Sequence, residues 1–290
     1  MQRDNYNSIV TTTMESGRIL ASVGILTLNS GKTLPRALQS VRDFADVYVC
    51  DGNSIDGTQE VARAHGARVV KQVDTDVPEQ KVVDFGAART KCLSAAQYDW
   101  YLRLDSDEYI SPELVEEIRR IVENPHPPYF IYKIPRKYVW RGEIIDDTIT
   151  YPNRQIRFFK RSATHGYTKI AHERIMVRSG EQVGLMRGTM LVPLPEGYDE
   201  FDRGRLSRAL DWDCRHYEAS MTFKSWLWAV IHTGATLTIF TLRCIRVRFI
   251  SRGNKLPIWH ELWRFKYLLA TLWLATRITC RKLLHFNKKG

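Results

Sequence analysis

The strongest constraint on the fold is an unbroken apolar run near the N-terminus, ILASVGILTL at residues 19–28. A strand exposed on one face alternates apolar and polar residues, whereas a strand buried on both faces of a parallel sheet is continuously apolar. The run ends at Asn29, Ser30 and Gly31, which are residue types typical of turns. The sequence therefore predicts a buried central strand that leads directly into a loop.

Segments with helical and strand-like patterns alternate along the next hundred residues. The helical ones are 33–44, 56–65, 81–97 and 112–123, and the strand-like ones are 46–50, 68–73 and 100–104. This alternation predicts an α/β sheet with right-handed crossovers. Prolines at 125, 127 and 128 break the pattern, and further strands are predicted at 129–135, 137–140 and 154–159.

These patterns divide the chain into three parts. Residues 1–18 are polar and contain no apolar segment of the kind found in a secretory signal peptide. Residues 19–198 are the predicted α/β domain, with halves at about 19–124 and 125–198. Residues 199–290 are predicted to be mainly helical.

Polar side chains follow three of the predicted strands at the point where each ends. Thr27 and Asn29 follow the first strand, Asp51 the second, and Asp105 and Asp107 the fourth. Ligands of open α/β sheets bind outside the carboxyl ends of the strands. Two carboxylates 4 Å apart repel by roughly 4 kcal/mol at an effective dielectric near 20. A divalent cation with oxygen ligands removes that repulsion and can bridge to phosphates, so the pattern indicates a metal and phosphate site.

The loop DGNSIDGT at residues 51–58 has two interpretations. Glycine, asparagine, aspartate and serine are usual turn residues, and Asp56 is a good N-cap for the helix that follows. The loop also lies one strand away from the D-S-D segment, where a ligand is expected. We therefore expect Asp51 to contact a ligand, with Asp56 as a candidate helix cap.

Three other kinds of ligand site are disfavoured by the spacing of residues. A calcium-binding EF-hand loop that began at Asp105 would need glycine at its sixth position, which is Ile110. The chain contains neither the G-x-G-x-x-G segment of dinucleotide-binding proteins after its first strand nor the G-x-x-x-x-G-K-[ST] segment of P-loop proteins.

Three motifs, in this order and spacing, resemble the inverting glycosyltransferases of family 2, which have the GT-A fold. They are ILTLN at 25–29, VYVCDGNSIDGT at 47–58 and DWYLRLDSDEYI at 99–110. The resemblance covers about residues 19–180. It implies a Rossmann-like mixed sheet with flanking helices, a nucleotide-sugar donor, and Mg²⁺ or Mn²⁺ as cofactor.

The resemblance also implies roles for the residues at the first two strand ends. Thr27 and Asn29 would line the nucleotide pocket, and Asp51 would hold the base or the ribose. Asp56 corresponds to the second acidic residue of the same loop and would belong to the nucleotide-sugar site.

The D-S-D segment corresponds to a family motif in which Asp105 and Asp107 engage ribose, diphosphate and metal, with Asp107 as the more direct metal ligand.

A narrower resemblance relates three further segments to enzymes that extend lipopolysaccharide cores and related envelope glycolipids. The segments are FGAAR at 85–89, YPNRQIRFFKR at 151–161 and KIAHERI at 169–175. This resemblance implies that Arg89 contributes to the nucleotide-sugar site. It also implies that Arg154 or Arg157 faces the diphosphate or an anionic acceptor, which suits the bidentate geometry of guanidinium.

An inverting transfer needs a base that takes the proton of the acceptor hydroxyl as its oxygen attacks the anomeric carbon. Within the resemblance, His172 and Glu173 supply one metal ligand and one base, in either order. Glu108, Asp146 and Asp147 are competing candidates for the base.

The positive charge is concentrated in the C-terminal third of the chain. Residues 203–290 contain 17 of the 43 Lys and Arg residues but only 4 of the 32 Asp and Glu residues. Residues 226–242 carry no formal charge and are flanked by Trp, Lys and Arg. Such a pattern favours an anionic membrane surface. The apolar stretch is at the lower limit for a membrane span, so an interfacial or re-entrant helix, a span, and packing against protein or a second copy of the chain all stay open.

We therefore predict a metal-dependent inverting glycosyltransferase at the cytoplasmic face of the plasma (inner) membrane, with a lipid-linked or lipopolysaccharide-type acceptor. The C-terminal helices are expected to associate with the membrane. A non-catalytic membrane-surface scaffold that keeps the nucleotide-binding fold is the alternative. A nucleic-acid-binding protein would use the same positive charges, but it would not explain the apolar stretches, and no nucleic-acid module is recognised.

Overall fold

The computed structural model describes residues 17–82, 84–168 and 174–286. The chain forms two compact units. The first contains the described residues up to Lys137 together with Pro152–Val192, and the second contains Tyr138–Tyr151 together with the residues from Pro193 onward. Residues 138–151 therefore belong with the C-terminal helices, although they lie in the middle of the sequence.

The strands are β1 (Ile19–Thr27), β2 (Phe44–Asp51), β3 (Arg68–Lys71), β4 (Trp100–Asp105), β5 (Tyr109–Ile110), β6 (Ile131–Trp140), β7 (Glu143–Ile144), β8 (Arg154–Lys160), β9 (Thr164–Thr168), β10 (Arg174–Val177), β11 (Val183–Leu185) and β12 (Met190–Pro193). The helices are α1 (Leu34–Ser40), α2 (Thr58–Ala64), α3 (Phe85–Ser94), α4 (Pro112–Glu123), α5 (Tyr198–Asp202), α6 (Arg205–Ser220), α7 (Phe223–Ile245) and α8 (Ile258–Phe286).

The main sheet has the strand order β3-β2-β1-β4-β8-β6-β12-β5. β1 runs parallel to β2 and β4, and β2 runs parallel to β3. β8 is antiparallel to both β4 and β6, so the sheet is mixed. The register pairs Thr27 with Asp51 and Leu26 with Asp105, which brings the three polar strand ends to one edge of the sheet. The predicted mixed α/β sheet with flanking helices is confirmed.

The interior of the first unit explains why the apolar runs form these elements. In β1, the consecutive residues Ala21, Ser22 and Val23 point to alternate faces and are all fully buried, as expected for a strand covered on both faces. Trp100 of β4 stacks on Phe158 of β8, with ring centroids 4.8 Å apart. Each large apolar side chain buried in this way stabilises the fold by about 1.5–3 kcal/mol.

Helix α4 follows its sequence signals at both ends of the predicted range. Ser111 is its N-cap and accepts a hydrogen bond from the Leu114 amide at 3.3 Å, and Pro112 occupies the first turn. Leu114, Val115 and Ile118 form its buried face. The N-cap and the spacing of the apolar residues both favour a helix that begins at Pro112, so the local sequence agrees with the observed structure here.

Three predicted boundaries are wrong for identifiable reasons. The helix predicted at 81–97 begins only at Phe85, because the Asp84 carboxylate caps it by accepting from the Ala87 amide at 2.9 Å. The strands predicted at 129–135 and 137–140 are one strand, β6, whose ladder continues through Pro135 opposite Arg154. The helix predicted at 199–220 is divided into α5 and α6 at Gly204, whose φ of 63° is left-handed.

In the second unit, α8 packs against both α6 and α7. The Trp226 indole donates to Thr276 Oγ1 at 3.0 Å, and Phe240 contacts Phe265 with ring centroids 6.2 Å apart. Since residue numbers rise along α7 as they fall along α8, the two helices are antiparallel. On its other side α8 contacts α6, whose buried Asp213 accepts a hydrogen bond from the Tyr267 hydroxyl at 3.0 Å.

We expect Gly188→Ala to destabilise the first unit by about 1–3 kcal/mol, because a Cβ at this position would lie 2.4 Å from the Leu114 Cα, which is backbone that cannot move aside. Gly234→Ala is the control, since no atom lies within 4 Å of its added Cβ. Urea denaturation followed by circular dichroism measures both variants. Equal stability of Gly188→Ala and the parent chain would contradict the close packing of α4.

Candidate active site

The buried carboxylate of Asp51 connects the ends of β1 and β2 with the loop that follows. Thr27 Oγ1 donates to it at 2.8 Å, and Ser54 donates through both its amide and its hydroxyl, at 2.8 and 2.6 Å. Gln59 of α2 donates a fourth hydrogen bond at 2.9 Å. The four protein donors fix the conformation of the loop, so a ligand that contacts Asp51 would meet a preformed structure.

Asn29 and Asp56 join the two neighbouring loops to each other. Asn29 Oδ1 accepts from the Ile55 amide at 3.0 Å, and the Gly31 amide donates to Asp56 Oδ2 at 2.9 Å. Asp56 is not the N-cap that its sequence suggests, because Gly57 occupies that position. Although burial alone would raise it, the pKa of Asp56 is lowered by hydrogen bonds from Thr58 and Gly31. Asp56 therefore connects the loop after β1 to the loop after β2.

The loop at residues 72–82 crosses the ends of β1 and β2. Asn29 Nδ2 donates to Glu79 Oε1 at 2.6 Å, and Asn53 Nδ2 donates to the Thr75 carbonyl at 2.8 Å. Asn29, Asn53 and Glu79 have φ values of 49°, 59° and 52°. Left-handed backbone is uncommon outside glycine and concentrates at functional sites. The sequence gives no sign that Glu79 belongs to the site, because its partner Asn29 lies 50 residues away.

A cavity of about 410 Å³ lies between this loop and α3, and its lining includes Gln72, Gln80, Lys81, Ala87 and Lys91. The Gln72 amide donates to the Asp51 carbonyl at 2.9 Å, so the cavity begins next to the end of β2. Its size falls in the range of small-molecule sites.

Asp105 at the end of β4 lies between two arginines. Arg157 Nη2 donates to its Oδ2 at 2.9 Å, and Arg89 of α3 donates to its Oδ1. Burial would raise the pKa of Asp105, but the guanidinium groups of Arg157, Arg89 and Arg103 hold it well below its usual value. Asp105 is therefore ionised, and protein donors already hold both of its oxygens.

A β-bulge places Arg157 at this position. Tyr132 pairs with Phe158 and Lys133 pairs with Ile156, so Arg157 is the extra residue of β8. Bulges redirect side chains and are frequent near active sites. Arg154 lies three residues earlier on the same strand and is exposed. Of the two arginines predicted to face the diphosphate or the acceptor, Arg157 is the one that lies against the D-S-D segment.

Glu108 extends the same charged cluster into the interior. It is 1% exposed and forms ion pairs with Arg136 and, at 3.5 Å, with Arg157. Burial raises the pKa of Glu108, although the charge of Arg157 opposes this effect. A carboxylate enclosed by two arginines is poorly placed to take a proton from a substrate.

The other two competing base candidates are also engaged. Asp146 accepts a hydrogen bond from the Asn254 amide at 2.9 Å, and Asp147 pairs with Arg246 at 2.7 Å. Both contacts lie within the second unit. His172 and Glu173 lie outside the described residues, so their assignment as ligand and base stays a prediction.

Asp107 differs from the other acidic residues of the cluster because no cationic side chain among the described residues pairs with it, and the residue is exposed. Partial shielding of its carboxylate from water and the charge of Asp105 raise its pKa. Within residues 17–82, 84–168 and 174–286, no three His, Cys, Asp or Glu side chains group together as a metal site. Mg²⁺ is commonly bound through one or two carboxylates and the phosphates of the substrate, and Asp107 fits that role.

We expect Arg157→Met to destabilise the first unit by about 3–5 kcal/mol, because the two carboxylates that share Arg157 then keep one arginine each, Arg89 for Asp105 and Arg136 for Glu108. Arg157→Lys keeps the charge but loses the planar fork, so its loss should be smaller. Urea denaturation at neutral pH measures both. If Arg157→Met were as stable as the parent, Arg157 would not hold the cluster together.

Comparison with known proteins finds one matching family and relatives that are named as glycosyltransferases. Residues 22–180 match glycosyl transferase family 2. An uncharacterized glycosyltransferase of Rickettsia typhi is 30% identical over 142 residues, which cover 48% of this chain and 46% of that protein. One of Rickettsia bellii is 36% identical over 124 residues, covering 42% and 40%. The match thus spans less than half the length of these curated relatives.

The chain is also similar to two solved structures. S. aureus TarS in complex with UDP-GlcNAc is 18% identical, with a TM-score of 0.44 over 61% of this chain and 59% of that chain. Glucosyl-3-phosphoglycerate synthase from Mycobacterium tuberculosis, in complex with Mn²⁺, UDP and phosphoglyceric acid, is 27% identical, with a TM-score of 0.30 over 43% and 44%. The family match includes all three polar strand ends and covers more than half of the chain. The chain belongs to glycosyl transferase family 2 and has the GT-A fold that its motifs imply.

Proposed function

We propose that this protein is a metal-dependent glycosyltransferase that moves a sugar, with inversion, from a nucleotide-sugar donor to a lipid-linked or lipopolysaccharide-type acceptor. The supporting observation is the arrangement at the end of β4 within a family 2 domain. Asp105 is held between two arginines there, and Asp107 is left exposed beside it. The lipopolysaccharide-type acceptor rests on the sequence resemblance and the cationic C-terminal region.

The donor would lie along the edge formed by the ends of β1, β2 and β4. The preformed loop around Asp51 and the cavity beside α3 offer a place for the nucleoside. The guanidinium groups of Arg89 and Arg157 place positive charge next to the expected position of the diphosphate. Because their hydrogen bonds and packing hold them in place, they would reorganise little when the donor binds.

Asp107 is the residue that would contact Mg²⁺ or Mn²⁺, and His172 would be a further ligand or the base. When bound, the cation would neutralise negative charge on the departing nucleotide diphosphate. On the opposite side of the sugar, Glu173 or His172 would hold the proton of the acceptor hydroxyl. Asp105 keeps the end of β4 in position through its two arginine contacts.

We propose the cytoplasmic face of the plasma (inner) membrane as the site of action. The excess of Lys and Arg in residues 203–290 suits an anionic lipid surface. No nucleic-acid partner is proposed, since the exposed apolar residues of α7 have no role in binding nucleic acid.

We expect Asp107→Asn to lower kcat/KM for donor turnover on the order of 100-fold or more, because the amide is a weaker ligand for the cation. Nucleotide release from a panel of nucleotide sugars, with Mn²⁺ or Mg²⁺ and membrane extract as acceptor, measures the effect. Asp43→Asn is the matched control, since Asp43 is a partly exposed aspartate that pairs with Arg42 and Arg119 instead.

Two results would count against the proposal. Unchanged turnover in Asp107→Asn would show that Asp107 does not serve the metal. Saturable nucleotide binding by the parent chain, without transfer to any extracted lipid, would favour the non-catalytic scaffold.

A further inference from the structure

Helix α7 presents a long apolar surface that no other described residue of the second unit covers. We call it the α7 outer face; its large members are Phe223, Leu227, Trp228, Ile231, Ile239, Leu242 and Ile245. Each of these side chains is between 46% and 65% exposed. At 3.6 residues per turn they fall on roughly one half of the helix circumference. The other half carries Trp226 and Phe240, which pack against α8.

Three threonines of α7 do not need water as a partner. The hydroxyls of Thr236, Thr238 and Thr241 donate to the backbone carbonyls four residues earlier, at 2.8, 3.0 and 2.9 Å. A hydroxyl bonded within its own helix can enter an apolar medium without leaving an unsatisfied donor. These three side chains therefore do not oppose the removal of the α7 outer face from water.

Positive charge flanks this face at both ends. Lys224 lies in the first turn of α7, Arg243 lies in its last turn, and Arg246, Arg248 and Arg252 follow it, with no charged residue from 225 to 242. Lys224 and Arg252 are exposed, and within residues 174–286 neither forms an ion pair. An apolar face with cationic ends is complementary to an anionic lipid monolayer.

The surroundings of α7 indicate how it meets the lipid. Phe223–Ile250 is the one described segment long and apolar enough to cross a membrane by length and composition. Its partner α8, however, is packed along α6, from Asp213 beside Tyr267 to Glu218 beside Arg281.

Helix α6 carries too many exposed charges to enter the hydrocarbon region of a bilayer. Its exposed charged residues are Arg205, Arg208, Asp211, Arg215 and Glu218. A spanning α7 would carry α8 and α6 to the same depth and place these charges in the bilayer, which is costly. With α7 lying flat, only its outer face enters the lipid, and α6 stays in water.

We propose that α7 lies in the plane of an anionic membrane, with the α7 outer face inserted between the headgroups and the upper acyl chains. This inference rests on the proposed function and deepens it, because it names the surface that holds the transferase next to a lipid acceptor. A second copy of the chain fits the face less well, since it would bring the same cationic ends to the interface.

Flotation of the full-length chain with vesicles tests the contact. The parent chain should float with phosphatidylcholine–phosphatidylglycerol vesicles and bind pure phosphatidylcholine more weakly. Leu242→Glu should lower binding about tenfold, because it places a charge on the apolar face. Leu20→Glu is the matched control, since Leu20 is a similarly exposed leucine of the first unit, and it should bind like the parent.

Spin labels test the orientation. Cysteines replace Leu227, Ala235 and Leu242 one at a time, in a chain whose exposed or partly exposed Cys214, Cys244 and Cys280 are serines. An in-plane helix gives all three labels the same shallow depth in the vesicle. A spanning helix would give the greatest depth at 235, and this result would overturn the proposal.

Two further outcomes would overturn it and leave the proposed function intact. In one, the parent chain stays unbound with every vesicle while it still releases nucleotide from a donor. In the other, light scattering shows a dimer that Leu242→Glu converts to a monomer, which would assign the face to a second copy. Donor hydrolysis without acceptor should proceed at the same rate in Leu242→Glu and the parent. This control shows whether the substitution has damaged the active site or has only weakened lipid binding.

Discussion

The first unit depends on one buried charge arrangement, the pairing of Asp105 with Arg89 and Arg157. The three residues come from β4, α3 and β8, so the pairing joins elements that are 16 and 52 residues apart in sequence. Arg157 also reaches Glu108, which Arg136 of β6 contacts. Each of these charges would be costly to bury alone, and together they compensate one another. The end of β4 is thereby fixed, and Asp107 becomes the carboxylate that is left exposed beside it.

The parts of the fold and the site that the sequence could predict are those with local signals. The unbroken apolar run of β1 identified a buried strand, and the helical pattern at residues 112–123 identified α4 with its observed bounds. The acidic residues after β2 and β4 were found because strand ends are where α/β sheets bind ligands. Their proximity followed from the parallel register of β1, β2 and β4.

The parts that could not be predicted depend on contacts between distant segments. The sequence near Arg157 does not predict a bulge, because the bulge exists only in the register between β8 and β6. Asp56 has the composition of an N-cap, but its carboxylate is also bonded by the Gly31 amide 25 residues earlier, and Gly57 caps the helix instead. Glu79 lies in a polar loop without any motif, and only the folded chain brings it to Asn29.

The assignment of residues 138–151 to the second unit has a consequence for how the protein can be divided. The chain passes between the units after Lys137, Tyr151 and Val192, so no single cut separates them. A truncation after residue 198 would remove the partners of Asp146, Asp147 and Thr148, which lie in α8 and in the segment between α7 and α8. The two units are thus interleaved along the sequence, and a transplant of the second unit onto another protein would require two junctions more than a simple fusion.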